Sequence, residues 1–249
     1  MRKLSVKTTF HERLWGWIYL ALQVLVLPIL LAIANMMLNL RLSAAELNFV
    51  FFALNFTAVT LIFHRFILEN GKIALHAPIS LLLNAFIGFV VYMVLSNLVS
   101  GIITAVNPEH YNVNDSYIST MVADAYALMI IGTVFLVPIT EELLYRGLIF
   151  AGIYNRSRIL AYIVSTVAFA ALHVYSYIGT YSTQQLLLCL LEYVPAGICL
   201  GWAYAKTDSI WTPILIHMSV NAIAVSAMRC YYAENLTIIF PCCQFDRRR

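Results

Sequence analysis

Charge is scarce in this chain of 249 residues: Asp, Glu, Lys and Arg make up 11%, against roughly a quarter in an ordinary soluble domain. That excludes a soluble globule of average type. Disorder is excluded with it, since 62% of the residues are hydrophobic and the mean hydropathy is +0.83. Other absences narrow the chemistry. The 5 cysteines include no Cys-x-x-Cys pair, so zinc-ribbon and dithiol redox motifs are missing. There is no HExxH, no glycine-rich phosphate loop, no internal repeat and no Ser or Cys in a nucleophile motif. A net charge of +3 with no basic helix or aromatic-basic motif gives no reason to expect nucleic acid, and suits an anionic membrane surface.

What remains is apolar sequence in long uncharged runs, and it predicts an all-α, multi-spanning transmembrane bundle. At about 20 residues per crossing the length allows about seven to eight helices, in a single membrane domain over 1–249. Runs fall at 14–40, 47–64, 79–105, 120–140 with an extension to 154, 159–175, 184–205 and 209–228. The first follows a flank with Arg2, Lys3, Lys7 and Arg13, but it is too long for a signal-peptide core and reads as a retained helix. Lys and Arg collect in alternate connections, with Arg65 and Lys72, with Arg156 and Arg158, and with Lys206, whereas 106–119 and 176–183 carry neither. This predicts a cytoplasmic N-terminus. Seven crossings then leave the tail with Arg247, Arg248 and Arg249 outside, unless Leu236–Phe240 starts an eighth. The cysteines read as packing, with lipidation of Cys242 or Cys243 as an alternative.

Ionisable groups within a span are costly, about 2.5–3.5 kcal/mol each on insertion scales, so each one is a candidate for function. They are Asp124, Glu141, Glu142, Arg146 and Glu192, with His173 and His217. In Val137-Pro138-Ile139-Thr140-Glu141-Glu142, proline is expected to interrupt the helix and to leave both glutamates in the first turn of its continuation. Glu142 and Arg146, four apart with the acid first, suit a same-face ion pair. Glu141 points about 100° away and stays free. Glu141 lies 15 residues before Arg156 and His173 lies 15 residues after Arg158, which puts both about 22 Å from one basic level. His217 and Asn221 share a face of the last span. Each taken singly could be a satisfied core group, but four polar groups from three helices converge in height. A carboxylate beside an imidazole can hold a water and accept its proton, and His and Asn can donate to an oxyanion. A zinc site is the nearest competitor, since Glu and His are zinc ligands.

These residues resemble a known family. Glu141-Glu142-Leu143-Leu144-Tyr145-Arg146, Phe169-Ala170-Ala171-Leu172-His173 and His217-Met218-Ser219-Val220-Asn221 are similar to the EExxxR, FxxxH and HxxxN motifs of the CPBP family, which comprises CAAX prenyl proteases and bacteriocin-processing or Abi-type proteins. The resemblance covers about 126–228 as a catalytic core, while the first spans up to 120 carry no signature. It implies an intramembrane glutamate-type endopeptidase in the bacterial cell membrane that needs no cofactor or metal. Glu141 and His173 would activate water, His217 and Asn221 would form the oxyanion hole, and Glu142 and Arg146 would support them. The implied partners are the lipid bilayer and a membrane-tethered peptide or protein, either a CAAX-type tail or a bacteriocin or leader-type peptide. A metal-dependent membrane endopeptidase is the alternative chemistry. A non-catalytic bacteriocin-immunity or scaffold protein and a proton-coupled transporter are the other classes. Tyr145 stands where Phe is usual, and its hydroxyl could reach a carboxylate. Glu192 is unexpected in its span, as a substrate-channel group, as the partner of a buried donor or as a carboxylate facing a neighbouring helix, and Asp124 is expected to be solvated.

Overall fold

The computed structural model describes residues 3–239, with side chains through Tyr231. Among these residues the chain is helical, with one isolated bridge between Ile178 and Tyr181 and no strand. Six helices are long and apolar enough to cross a membrane: Ala44–Ile62, Pro78–Val106, Tyr126–Tyr154, Arg158–Tyr177, Thr183–Thr207 and Trp211–Tyr231. Phe10–Leu25 and Leu27–Met37, bent by 50° to each other, are apolar and long enough only when taken together, so the described residues hold six such helices, or seven with this pair as one broken span. Pro28 stands in the first turn after the bend, where its missing N–H costs least. The last helix runs on to Ile239, so the residues from Leu236 continue it instead of opening an eighth crossing. Phe240 and the tail with Cys242, Cys243 and Arg247–Arg249 lie outside the described residues.

The basic connections gather on one face. Leu4 N–H donates to Asn155 Oδ1 at 3.0 Å and Ser5 N–H to Asp208 Oδ1 at 2.9 Å, tying the N-terminal segment to two of them. Glu12 caps its own helix in a Thr9–Glu12 capping box and also accepts from Phe66 N–H at 2.8 Å. Asn70 Oδ1 accepts from Ile210 N–H at 3.0 Å. Asp208 itself ends its helix in the left-handed region, at φ 58°. On the opposite face the 107–112 turn, carrying His110, reaches the Thr183–Glu192 helix.

Close helix contact sets the centre. A Cβ added at Gly197 would lie 2.4 Å from Thr166 Cγ2 and Oγ1, so only glycine lets the Val194–Thr207 and Arg158–Val174 helices approach this far. Small residues at helix interfaces serve this purpose in lipid, where apolar burial gives little drive to associate. The buried core around this contact includes Leu143, Leu148, Phe150, Phe169, Leu200 and Tyr204, and many large apolar side chains face outward instead.

Two local expectations are corrected. The fourth span starts at Tyr126 and not near 120, because Ala125 breaks the chain (φ −138°, ψ 65°) after a separate Val113–Asp124 helix. Asp124 is therefore exposed at the end of that helix. Nor does Pro138 interrupt its helix. The backbone widens to π-helix over Ile131–Leu136, with Val137 N–H bonding Gly132 O, and again over Leu143–Phe150. The wider turn relieves the proline's clash with the preceding carbonyl and absorbs its missing N–H, so the helix stays continuous. The glutamates thus sit in mid-helix and gain no helix-start dipole.

Candidate active site

Tyr126–Tyr154 carries the two glutamates on different faces. Glu141 lines a cavity of about 600 Å³, whereas Glu142 lies behind it, fully buried. The Glu142–Arg146 pair expected from spacing forms with Arg146 Nη1 3.0 Å from Glu142 Oε1, both side chains at 0% exposure. Arg146 Nη2 donates to Ala196 O at 3.3 Å and the guanidinium lies 4.5 Å from the centre of the Phe169 ring. Guanidinium is thus held by a carboxylate, a carbonyl and a π face, as a buried cation requires.

His217 comes from the opposing Trp211–Tyr231 helix. Its Nδ1 donates to the same Glu142 Oε1 at 3.0 Å, and its Nε2 lies 3.9 Å from Glu141 Oε2. Glu141 Oε2 is buried without a hydrogen-bond partner. His173 lines the cavity too, and its Nδ1 donates to Phe169 O at 2.8 Å, one turn earlier. In a neutral ring this leaves Nε2 as a proton acceptor. Its ring stacks on Tyr193 at 4.2 Å and 27°, and Tyr193 Oη donates to Asn112 Oδ1 at 3.3 Å. Asn221 borders the same cavity and gives one side-chain N–H to Thr133 O at 2.8 Å.

All four cavity-facing candidates, Glu141, His173, His217 and Asn221, therefore share one cavity, and Glu142 and Arg146 back it. The direct carboxylate–imidazole approach is made by Glu141 with His217, whereas His173 is held by Phe169 and Tyr193. Tyr145 is buried edge-on against Phe169 at 5.6 Å. Glu192 does not line the cavity. Its Oε2 accepts at 2.7 Å from Asn112 Nδ2, a half-buried donor at the start of the Val113–Asp124 helix, so it is a carboxylate that faces a neighbouring helix and holds a donor there. Tyr193, Asn112, Thr133, Asp115 and Tyr92 escaped the sequence reading. The first two border Glu192 or its contacts, but nothing in the sequence brings Tyr92 of Pro78–Val106 to this cavity. Asp115 lies outside the spans and stays exposed at the cavity wall, where partial loss of water raises its carboxyl above the usual range, with His173 opposing the rise and Glu192 adding to it.

Comparison with known proteins points the same way. Residues 123–223 match the family described as type II CAAX prenyl endopeptidase Rce1-like. "Putative membrane peptidase YdiL" of Bacillus subtilis (strain 168) is 32% identical over 105 residues, which is 42% of this chain and 38% of that protein. "UPF0177 protein YxdF" of Lactococcus lactis subsp. lactis (strain IL1403) is 32% identical over 95 residues, 38% of this chain and 46% of that protein. The chain thus aligns with under half the length of either relative. No solved structure matches it. The three-motif resemblance to the CPBP family is upheld over this stretch, in a multi-pass helical membrane protein.

Proposed function

We propose that this chain is an intramembrane endopeptidase of glutamate type, which hydrolyses a peptide bond of a membrane-associated protein or peptide. One observation carries the reading: of two adjacent glutamates, Glu142 is buried against Arg146 and His217, while Glu141 faces the cavity with an unpartnered oxygen. A structural ion pair alone gives no reason for the second carboxylate. Matching motifs and relatives support the same assignment.

The chemistry follows from the hydrogen bonds. Glu141 and His173 Nε2 hold a water and take its proton as its oxygen attacks the carbonyl carbon. Glu141, Glu142 and Arg146 leave one negative charge uncompensated, and an imidazolium at His217 balances it. His217 Nδ1–H then stays on Glu142, and Nε2–H donates to the developing oxyanion, together with the Asn221 N–H that Thr133 leaves free. Collapse of the tetrahedral species returns the proton to the leaving amine and releases a carboxylate. A catalytic metal fits less well. Among the described residues, the one set of three close metal-ligand atoms lies elsewhere, and Arg146 already compensates Glu142.

The cavity's volume and its apolar lining, with Phe51, Phe52 and Leu172, suit an extended peptide segment within the bilayer. Substrates of this class are a CAAX-type tail or a leader-type peptide. The basic face is assigned to the cytoplasm of a bacterial cell. The test compares membranes holding the intact chain with membranes holding Glu141→Gln, using mass spectrometry of membrane peptides. Uncut species should accumulate in the variant. Equal turnover in both overturns the reading.

A further inference from the structure

On the face opposite the basic connections, the structure assigns a zinc-type divalent cation site to His110, Cys189 and Glu192, separate from the peptidase cavity. One potential ligand atom from each lies within 4.8 Å of the others. Cys189 and Glu192 are three apart on one helix face, and His110 reaches them from the Asn107–His110 turn. The set is nitrogen, sulfur and oxygen, which favours zinc over calcium or magnesium.

Second-sphere contacts fix the donors. Gln185 Nε2 donates to Tyr111 O at 2.5 Å, which turns Gln185 Oε1 toward His110 Nδ1, 3.2 Å away. His110 Nδ1 must therefore carry the proton, and in the neutral ring Nε2 presents its lone pair. That nitrogen, on a side chain 3% exposed, has no hydrogen-bond partner and faces Glu192 Oε2 at 3.4 Å. Two acceptors facing each other, one on a buried ring and the other on a carboxylate 17% exposed, call for a cation. A His110 imidazolium paired with Glu192 is the competing account, but the contact lacks the geometry of a hydrogen bond. Asn112 Nδ2 holds Glu192 Oε2 at 2.7 Å, as the outer partners of metal-ligating carboxylates do. Cys189, 1% exposed, directs its Sγ to Tyr111 O at 3.8 Å.

Small side-chain shifts bring the three atoms to metal bonds of about 2.0–2.3 Å, with water as fourth ligand. Binding takes the lone pairs of His110 Nε2, Cys189 Sγ and a Glu192 oxygen, and the thiol proton leaves to solvent. The ion would clamp the 107–112 turn to the Thr183–Glu192 helix. Through Asn112 and Tyr193 that clamp reaches His173.

Cobalt titration of the full chain, purified in detergent and stripped with chelator, tests the site. Expected are uptake of about one ion per chain and a near-ultraviolet sulfur-to-cobalt band, displaced by zinc. Cys189→Ser and His110→Ala remove the band, and Gln185→Ala weakens binding about 10- to 100-fold. The band survives in a triple Cys230→Ser, Cys242→Ser, Cys243→Ser variant and in Glu141→Gln, which keeps this outcome independent of the peptidase reading. A wild-type chain with no band overturns the site without any variant having to fold. So does a band that persists in Cys189→Ser or disappears in Glu141→Gln.

Discussion

Glu142 and His217 share a hydrogen bond of 3.0 Å across two helices, and the same carboxylate oxygen takes a second of 3.0 Å from Arg146. One buried atom thus joins the EExxxR and HxxxN segments. The ring orientation that turns His217 Nε2 toward Glu141 is a consequence of this bond.

Glu141→Gln keeps the shape of the side chain and removes its capacity to accept a proton. Cleavage is expected to fall at least about a hundredfold, with the melting temperature in detergent unchanged within error. A peptide-release assay beside a thermal unfolding scan checks both. A variant that loses activity only because it melts early would not meet this expectation.

Arg146→Met leaves the Glu142 carboxylate buried without its cation and should destabilise the protein by about 3–5 kcal/mol. Adding Glu142→Gln removes the stranded charge and should return at least half of the loss. Thermal or chemical unfolding of the single and double variants measures the coupling, and simple additivity would contradict it.

Tyr193 stacks on His173 and is itself held by Asn112. Tyr193→Leu should lower kcat about 10- to 100-fold through a displaced imidazole, with KM little changed. Tyr193→Phe keeps the ring and should retain most of the rate. Steady-state kinetics of the two variants separates positioning from general packing, which would depress both parameters together.

Gly197→Ala places a methyl group 2.4 Å from Thr166 and should cost about 1–3 kcal/mol, relieved by Thr166→Ala. At Gly101 an added Cβ meets nothing within 4 Å, so Gly101→Ala should be neutral or stabilising by up to about 1 kcal/mol. Paired unfolding measurements decide, and equal effects at the two positions would contradict the packing described.

By itself, the sequence determined the class of fold, because long uncharged runs have no stable place other than lipid and a helix is the one local solution to their backbone hydrogen bonds. It also placed the Glu142–Arg146 pair, since four residues make nearly one turn. Motif spacing identified Glu141, His173, His217 and Asn221, and equal depth suggested that they meet. Which groups touch was left to tertiary structure: His217 and not His173 approaches Glu141, and Phe169 holds His173 by its carbonyl and Arg146 by its ring. The π-helical turns around Pro138 were equally hidden, because a proline in sequence reports a clash and a missing N–H but not whether the backbone answers with a break or with a wider turn. Cys189 read as plain packing and Glu192 as a channel group, a donor's partner or a carboxylate facing a neighbouring helix, and the fold brought His110 to both, across 75 and more residues of chain. Periodicity reports which face of a helix a residue occupies, and only packing decides what that face meets.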